Sequence, residues 1–420
     1  MIAGQRPARY VRRSQGCAEM TDRNDRPGPA EDKRNTDSPA ACREADIPSG
    51  RAQICVPSLR EGRGTFRVFT EGDELYDAMV DAIAGAERDI GMESYIFAAD
   101  EVGQRFAAAL ADKARAGLQV RLHLDAFGSG FTAFANIQRH LELAGAKFKW
   151  FHPFRPLHPL EYLQRNHRKL LVVDGREAFL GGFNLRRLNS RKLSGESRQR
   201  DTHVRVEGPL ARVAFLLFDQ LWNDATPIHP DAIPETPQGL EAILVPSYSR
   251  YCQQRLACLY TSLIERSQRR LALTSPYFAP GTLIETALRN AAARGVEVRL
   301  LVPRTGDPPV AGWATRAAYE PLLAAGVRVY EYVTRKLHAK ASVVDGEWSV
   351  IGSANLDRLS LFVNQELVLI ARDRDLAEAL HVQHEEDIRE AAQVMPSQWR
   401  LRGWRERGLE LIGRTLRRLL

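Results

Sequence analysis

The sequence predicts an α/β fold built from two tandem units that form a pseudo-twofold pair, each with a mixed sheet flanked by helices. Three observations predict it. Short β-branched runs alternate with helical patterns of about ten residues or more, which argues for a sheet covered by helices. The order of these patterns in the first half returns in the second. One polar skeleton, H-x-K-x4-D followed by Gly-Gly or Gly-Ser and then an asparagine, occurs once in each half at identical spacing.

From Met1 to about Gly64 the chain mixes Arg, Asp, Pro, Ser and Gly with few large apolar residues. Such a segment buries too little surface to offset its ordering entropy, so residues 1–64 are expected to be a disordered tail. Ordered sequence begins at FRVF. Asp73–Ala86 carries Leu75, Met79, Val80 and Ile83 at helical spacing, and Ile90–Phe97 reads as a strand. Val102–Ala116 is an alanine-rich helix stopped by Gly117, a helix C-terminal signal. Gln119–Asp125 follows as a strand. The second half answers in turn: Leu271–Phe278 to Ile90–Phe97, the helix ending at Gly295 to the one ending at Gly117, VEVRLLVP to LQVRLHLD, and AAGVRVYEY to LAGAKFKWF. Gly145 stands 22 residues before His167, whereas Gly326 stands 12 before His338, so the first half carries about ten extra residues within FHPFRPLHPLEYLQR. The units are expected at 65–235 and 236–395, with a basic amphipathic segment at 396–420.

The skeleton itself points to phosphate chemistry. An imidazole with an ordinary pKa of about 6.5 can serve as nucleophile or base and then as acid near neutral pH. Along an extended segment side chains repeat every two positions, so His167 and Lys169 face one way, as do His338 and Lys340. Gly181, Gly182 and Asn184 in one copy, and Gly352, Ser353 and Asn355 in the other, offer backbone, hydroxyl and amide donors for negative oxygens. Each copy is half a site, and two equivalent units would bring both to a shared cleft. Only 8 of the 59 basic residues are Lys, yet one stands in each motif, where a compact charge suits a phosphate. Asp174 and Asp345 each precede a glycine between apolar runs, which signals a hairpin.

Two H-x-K-x4-D motifs in one chain resemble the phospholipase D superfamily. The segments ESYIF, AGLQVRLHLDAFGS, NHRKLLVVDGREAFLGGFN and RDTHVRVEGP are similar to bacterial cardiolipin synthases, and the resemblance runs from about Phe66 to about Val394. It implies two phospholipase D-like domains and a phosphatidyltransferase that joins two phosphatidylglycerols through a phosphohistidine, with no metal or cofactor. The implied catalytic set is His167, Lys169, Asp174, His338, Lys340 and Asp345, with Asn184, Ser353 and Asn355 on the phosphate. Asp201 and Glu366 are implied to orient the imidazoles. The resemblance favours His167 as nucleophile and His338 as acid/base, and the near-symmetry of the motifs leaves that order open. Alternatives within the superfamily are a phospholipase or nuclease using water, or transfer with phosphatidylethanolamine as co-substrate; from another class, the alternative is a non-catalytic membrane scaffold, which two complete motifs argue against. Gly182, where the second copy has Ser353, implies unequal phosphate contacts.

Composition agrees with a globular protein that meets anions. Net charge is +7, which suits an anionic membrane surface or nucleic acid alike. The densest basic run, Arg400–Leu420, has seven Arg against Glu406 and Glu410, with Leu401, Trp404, Ile412, Leu416 and Leu419 near helical spacing. That pattern suits a membrane interface and argues against a nucleic-acid groove, although Gly403, Gly408 and Gly413 weaken the helix. Phe151, Phe154, Leu157, Leu160, Tyr162 and Leu163 make the inserted loop either a packed cover or a rim for acyl chains. His152 and His158 there lack the carboxylate or cysteine partners of a metal site. No window of 18 apolar residues exists, and the first residues lack the apolar core of a secretory signal. The five cysteines have no metal-like spacing and read as reduced. The expectation is a peripheral protein on the cytoplasmic face of the bacterial inner membrane; the sequence sets no oligomeric state.

Overall fold

The apolar runs that follow the two H-x-K segments become the inner strands of two sheets. The computed structural model describes residues 66–130, 134–154, 156, 161–223, 241–247 and 250–417. The first sheet contains β1 (Phe66–Phe69), β2 (Asp89–Ser94), β3 (Gln119–Asp125), β4 (Lys147–Phe151), β5 (Leu170–Val173), β6 (Glu177–Gly181) and β7 (His203–Glu207), in the order β1-β7-β6-β5-β2-β3-β4. The second contains β8 (Ala242–Ser247), β9 (Arg270–Thr274), β10 (Glu297–Pro303), β11 (Arg328–Tyr332), β12 (Ala341–Val344), β13 (Trp348–Gly352), β14 (Glu366–Arg372) and β15 (Ala391–Gln393). Its order is β15-β11-β10-β9-β12-β13-β14-β8. β2, β3 and β4 run parallel and the rest of the first sheet is antiparallel; β9, β10 and β11 repeat this in the second. The duplication is therefore one of topology, with β15 added at an edge.

Among the described residues, alternation along the strands divides the interior into three large cores, with a small fourth cluster of Leu301, Tyr332, Leu337 and Ala339. Leu171 and Val173 pack with the helices Gly72–Gly85 and Glu101–Arg115 on the outer face of the first sheet. Leu170 and Val172 face the other way, into a core shared with Val343, Ile351, Leu367 and Leu369 of the second sheet. A third core fills the outer face of the second sheet. The shared core explains why β5 reads LLVV without polar alternation: both faces are buried. Burying one such side chain is worth about 1.5–3 kcal/mol. The central core thus holds the two H-x-K segments at a common edge.

Ion pairs tie the halves further. Buried Arg200 reaches Asp387 with two bonds of 2.8 Å, and Glu71 takes both Arg198 (2.6 Å) and Arg335 (3.0 Å). Removing one partner of such a buried pair costs about 3–5 kcal/mol.

Some elements differ from expectation in detail. β2 and β9 stop at Ser94 and Thr274, short of Phe97 and Phe278. Ser94 Oγ donates to Ile96 O at 2.9 Å and Ser275 Oγ to Tyr277 O at 2.8 Å, local bonds that turn the chain out of the ladder. β7 begins at His203 rather than Asp201, which stays just outside the sheet. A helix does form at Trp404–Leu416, and Gly413 is required there, because a Cβ would overlap the Trp313 backbone. Cys258 is disulfide-bonded, which corrects the expectation of reduced cysteines. The tail 1–64, the boundary at 235–236 and His158 lie outside the described residues.

Candidate active site

Each H-x-K segment is extended and lies just before an inner strand, β5 or β12. Each is pinned by the opposite half. His167 N–H donates to Gln365 O (2.9 Å) and Gln365 N–H to Arg165 O (2.8 Å); His338 N–H donates to Arg200 O (2.7 Å) and Arg200 N–H to Lys336 O (2.9 Å). Gln365 and Arg200 immediately precede Glu366 and Asp201. The pinning therefore delivers each acid to the histidine of the other half.

The acids are crossed. His167 Nδ1 lies 3.1 and 3.2 Å from the two oxygens of Glu366, and His338 Nδ1 lies 2.5 Å from Asp201 Oδ2. Both carboxylates are fully buried, while the imidazoles keep 12 % and 11 % of their side-chain surface open. An Nδ1–H donated to a carboxylate leaves the lone pair on Nε2, the tautomer needed for attack on phosphorus or for taking a proton. Tyr95 stands edge-on to His167, ring centres 4.9 Å apart.

The lysines complete a desolvated set of charges. Lys169 Nζ donates to His167 O at 2.7 Å, and Lys340 Nζ donates to His338 O. Burial pulls Lys169 down to about 7 and Lys340 to about 8. Burial likewise lowers His338 to about 3, helped by the Lys340 charge, and lowers His167, helped by Lys169. Burial works against ionised Asp201, but Lys340 and His338 outweigh it and hold its pKa low. The Lys340 charge is felt at His167 and the Lys169 charge at His338, so both half-sites share one electrostatic environment. Neutral imidazoles beside desolvated ammonium groups are suited to receive an anion that supplies the missing counter-charge.

The remaining predicted residues separate into two groups. Asn184 Oδ1 accepts Ile96 N–H at 3.1 Å, which leaves its amide donors for an anion. Ser353 Oγ donates to Glu366 and accepts Leu367 N–H at 3.0 Å, so its hydroxyl is engaged in holding the acid that orients His167. Asn355 is buried and bonds Asp357. Asp174 and Asp345 are not at the imidazoles. They follow the far ends of β5 and β12 with φ of 54°, where Asp174 accepts the N–H groups of Glu87, Arg88 and Asp89, and Asp345 those of Gln268, Arg269 and Arg270. This is the hairpin arrangement that their Asp-Gly pairs predicted.

Three residues escaped the sequence reading. Asp125, at the end of β3, accepts Asn166 N–H at 2.9 Å as well as Phe127 and Gly128 N–H at 3.0 Å, and so positions the first H-x-K segment. Tyr95 lies inside ESYIF, where nothing but an aromatic at a strand end marks it. Arg186 occupies the motif position at which the second copy has Asp357, and that change of charge was visible in the aligned repeats.

Comparison with known proteins places this geometry. Residues 79–222 and 260–388 match the family described as "Cardiolipin synthase, PLD-like domain". The chain is 35 % identical over 364 residues to a cardiolipin synthase of Geobacillus kaustophilus, covering 84 % of this chain and 72 % of that protein. It is 34 % identical over 332 residues to cardiolipin synthase B of Salmonella typhi, covering 76 % and 79 %. Among solved structures, phosphatidylserine synthase of Haemophilus influenzae superposes with a TM-score of 0.67 at 14 % identity, over 88 % of this chain and 97 % of that one, a likeness of fold.

Proposed function

The chain belongs to the family of cardiolipin synthases with PLD-like domains, and from that premise we propose that it converts two phosphatidylglycerols to cardiolipin and glycerol through a phosphohistidine. His167 Nε2 attacks the phosphorus of the first lipid in line. The P–N bond forms as the P–O bond to the head-group glycerol breaks; His338, which takes up a proton on Nε2 when the phosphodiester's negative charge enters beside it, gives that oxygen the proton. His338, now neutral, takes the proton from a hydroxyl of the second lipid as its oxygen attacks phosphorus and expels His167. Lys169, Lys340 and the Asn184 amide hold the phosphoryl oxygens, where fixed donors are worth most as charge develops. Asp174 and Asp345 act by holding the hairpins. The observation that carries this reading is the crossed pairing: each imidazole is oriented by the acid of the other half, so neither half works alone.

The protein meets its substrates as a peripheral protein. Among the described residues no helix is long and apolar enough to cross a membrane. Both acids of the helix Trp404–Leu416 are paired: buried Glu410 bonds Arg402 at 2.9 Å, and exposed Glu406 stands 3.5 Å from Arg316. Trp404 (79 % exposed), Leu411 (64 %) and Ile412 face outward with Leu401 beside them, among Arg405, Arg407 and Arg414. An apolar face edged mostly by cations fits an anionic lipid surface. That segment is what supports placement on the cytoplasmic face of the inner membrane; the disulfide at Cys258 removes the argument from reduced cysteines.

Purified protein incubated with phosphatidylglycerol vesicles should sediment with them and yield cardiolipin and free glycerol by mass spectrometry, with less sedimentation on neutral vesicles. Phosphatidic acid as the sole product would make the protein a hydrolase instead. Cardiolipin appearing only when phosphatidylethanolamine is added would assign that lipid as co-substrate.

A further inference from the structure

The halves differ in sign at one equivalent position beside the site. Two residues beyond the motif asparagines stand Arg186 in the first half and Asp357 in the second. Asp357 is buried and local in its bonds, capping the helix Arg358–Phe362 by accepting Ser360 N–H at 2.7 Å. Arg186 is half-buried and has another fate. Its main-chain neighbourhood is fixed by the Tyr76 hydroxyl, which donates to Asn184 O at 2.5 Å and lies 3.5 Å from Arg186 N. Its Nη2 donates to Gln199 Oε1 at 2.6 Å, and Gln199 is buried two residues before Asp201, the acid of His338. The guanidinium is thereby held on the His338 side.

Its charge has no direct ion-pair partner among the described residues, although Asp201 and Asp100 act on it from farther off. Among the described residues no carboxylate lies within ion-pair distance of Arg186, and its buried Nε has no hydrogen-bond partner. Neighbouring cations are spent: Lys336 pairs with Asp307, and Arg198 and Arg335 both pair with Glu71. The Arg186 charge is felt at Lys340, Tyr277 and Asp307, so it shares the electrostatic environment of the second half-site.

Joining two phosphatidylglycerols brings two phosphodiester anions into one cleft. The two lysines serve the phosphorus under attack, and the acceptor's own phosphodiester needs a separate cation. We propose that Arg186 binds the phosphodiester of the acceptor lipid and so presents that lipid's terminal hydroxyl to His338, selecting an anionic lipid over water or a free alcohol as acceptor. A guanidinium fork with open donors suits such an anion. The inference rests on the transferase reading above and specifies which lipid sits on which side of it.

The test uses full-length protein on phosphatidylglycerol vesicles containing labelled glycerol. Two products are followed together: cardiolipin, and label exchanged into phosphatidylglycerol, in which free glycerol is the acceptor. Arg186→Gln should lower the ratio of cardiolipin to exchange by about tenfold or more, and Arg186→Lys should recover much of it. An unchanged ratio in Arg186→Gln, or an equal fall in both products, would overturn the acceptor role while leaving the transferase reading intact. Wild-type protein that exchanged glycerol yet made no cardiolipin would overturn the reading and this inference together.

Discussion

The half-site that orients His338 uses a short acid with no side chain beside it, whereas the one that orients His167 uses a longer acid with a hydroxyl beside it. Gly182 N–H donates to Thr202 O at 2.9 Å and Ser353 N–H to Leu367 O at 3.0 Å, so Asp201 and Glu366 occupy equivalent places. A Cβ at Gly182 would overlap the Asp201 carboxylate, which sits close over the backbone. Glu366, one methylene longer, carries its carboxylate farther out and leaves room for Ser353, whose hydroxyl then bonds it. Gly182 is therefore more than a lost phosphate donor. It is the steric complement of an aspartate, as Ser353 is of a glutamate, and the two halves reach the same Nδ1 bond by different pairs.

The sharpest way to break the equivalence is to remove each histidine. His167→Ala and His338→Ala should each lower cardiolipin formation by about 10⁴-fold or more. With rapid quenching and labelled lipid, His338→Ala should retain a trace of phosphoenzyme mapping to His167, and His167→Ala none. The opposite pattern would exchange the two roles, and label on neither protein would remove the covalent scheme.

A smaller effect probes the pairing of acid and neighbour. Gly182→Ser should push Asp201 off His338 and cost about a hundredfold in kcat, since a displacement of this size at a catalytic group typically does. Adding Asp201→Glu transplants the second half's arrangement and should return activity to within about tenfold of wild type. Full activity in the single variant, measured at saturating lipid, would show that the glycine is not sterically required.

The smallest effect separates the lysines. Both are cationic at low pH, and each loses its proton as pH rises, Lys169 near 7 and Lys340 near 8. The phosphate-binding charge is thus present below that window and lost through it, so kcat/KM should fall on the alkaline side by about tenfold per pH unit. A profile that stays flat through this window would mean that bound lipid or neighbouring carboxylates keep both ammonium groups charged.

Much of this was legible before folding. Asp174 and Asp345 announced their hairpins through the glycine that follows each, because the turn is a local matter of backbone conformation. β5 and β12 were legible as apolar runs beside the motif. The early exits of β2 and β9 were not, because a single serine bond at each strand end decides them against good strand propensity. Ser353 looked like a phosphate ligand because spacing gives a hydroxyl's position and not its partner. Arg186 stands against Asp357 in the aligned repeats, but spacing shows only the change of charge and not what the charge faces.

By itself the sequence determined the duplicated α/β topology, the two H-x-K segments and the chemistry they serve, since side-chain spacing along an extended chain is set by covalent geometry. Only the tertiary structure decided that the acids cross. His338 and Asp201 are 137 residues apart in the chain, and His167 and Glu366 are 199 apart. What brings them together is the core between the sheets, where Leu170 and Val172 pack with Val343 and Ile351. That packing fixes which half's acid meets which half's imidazole, and no local pattern encodes it.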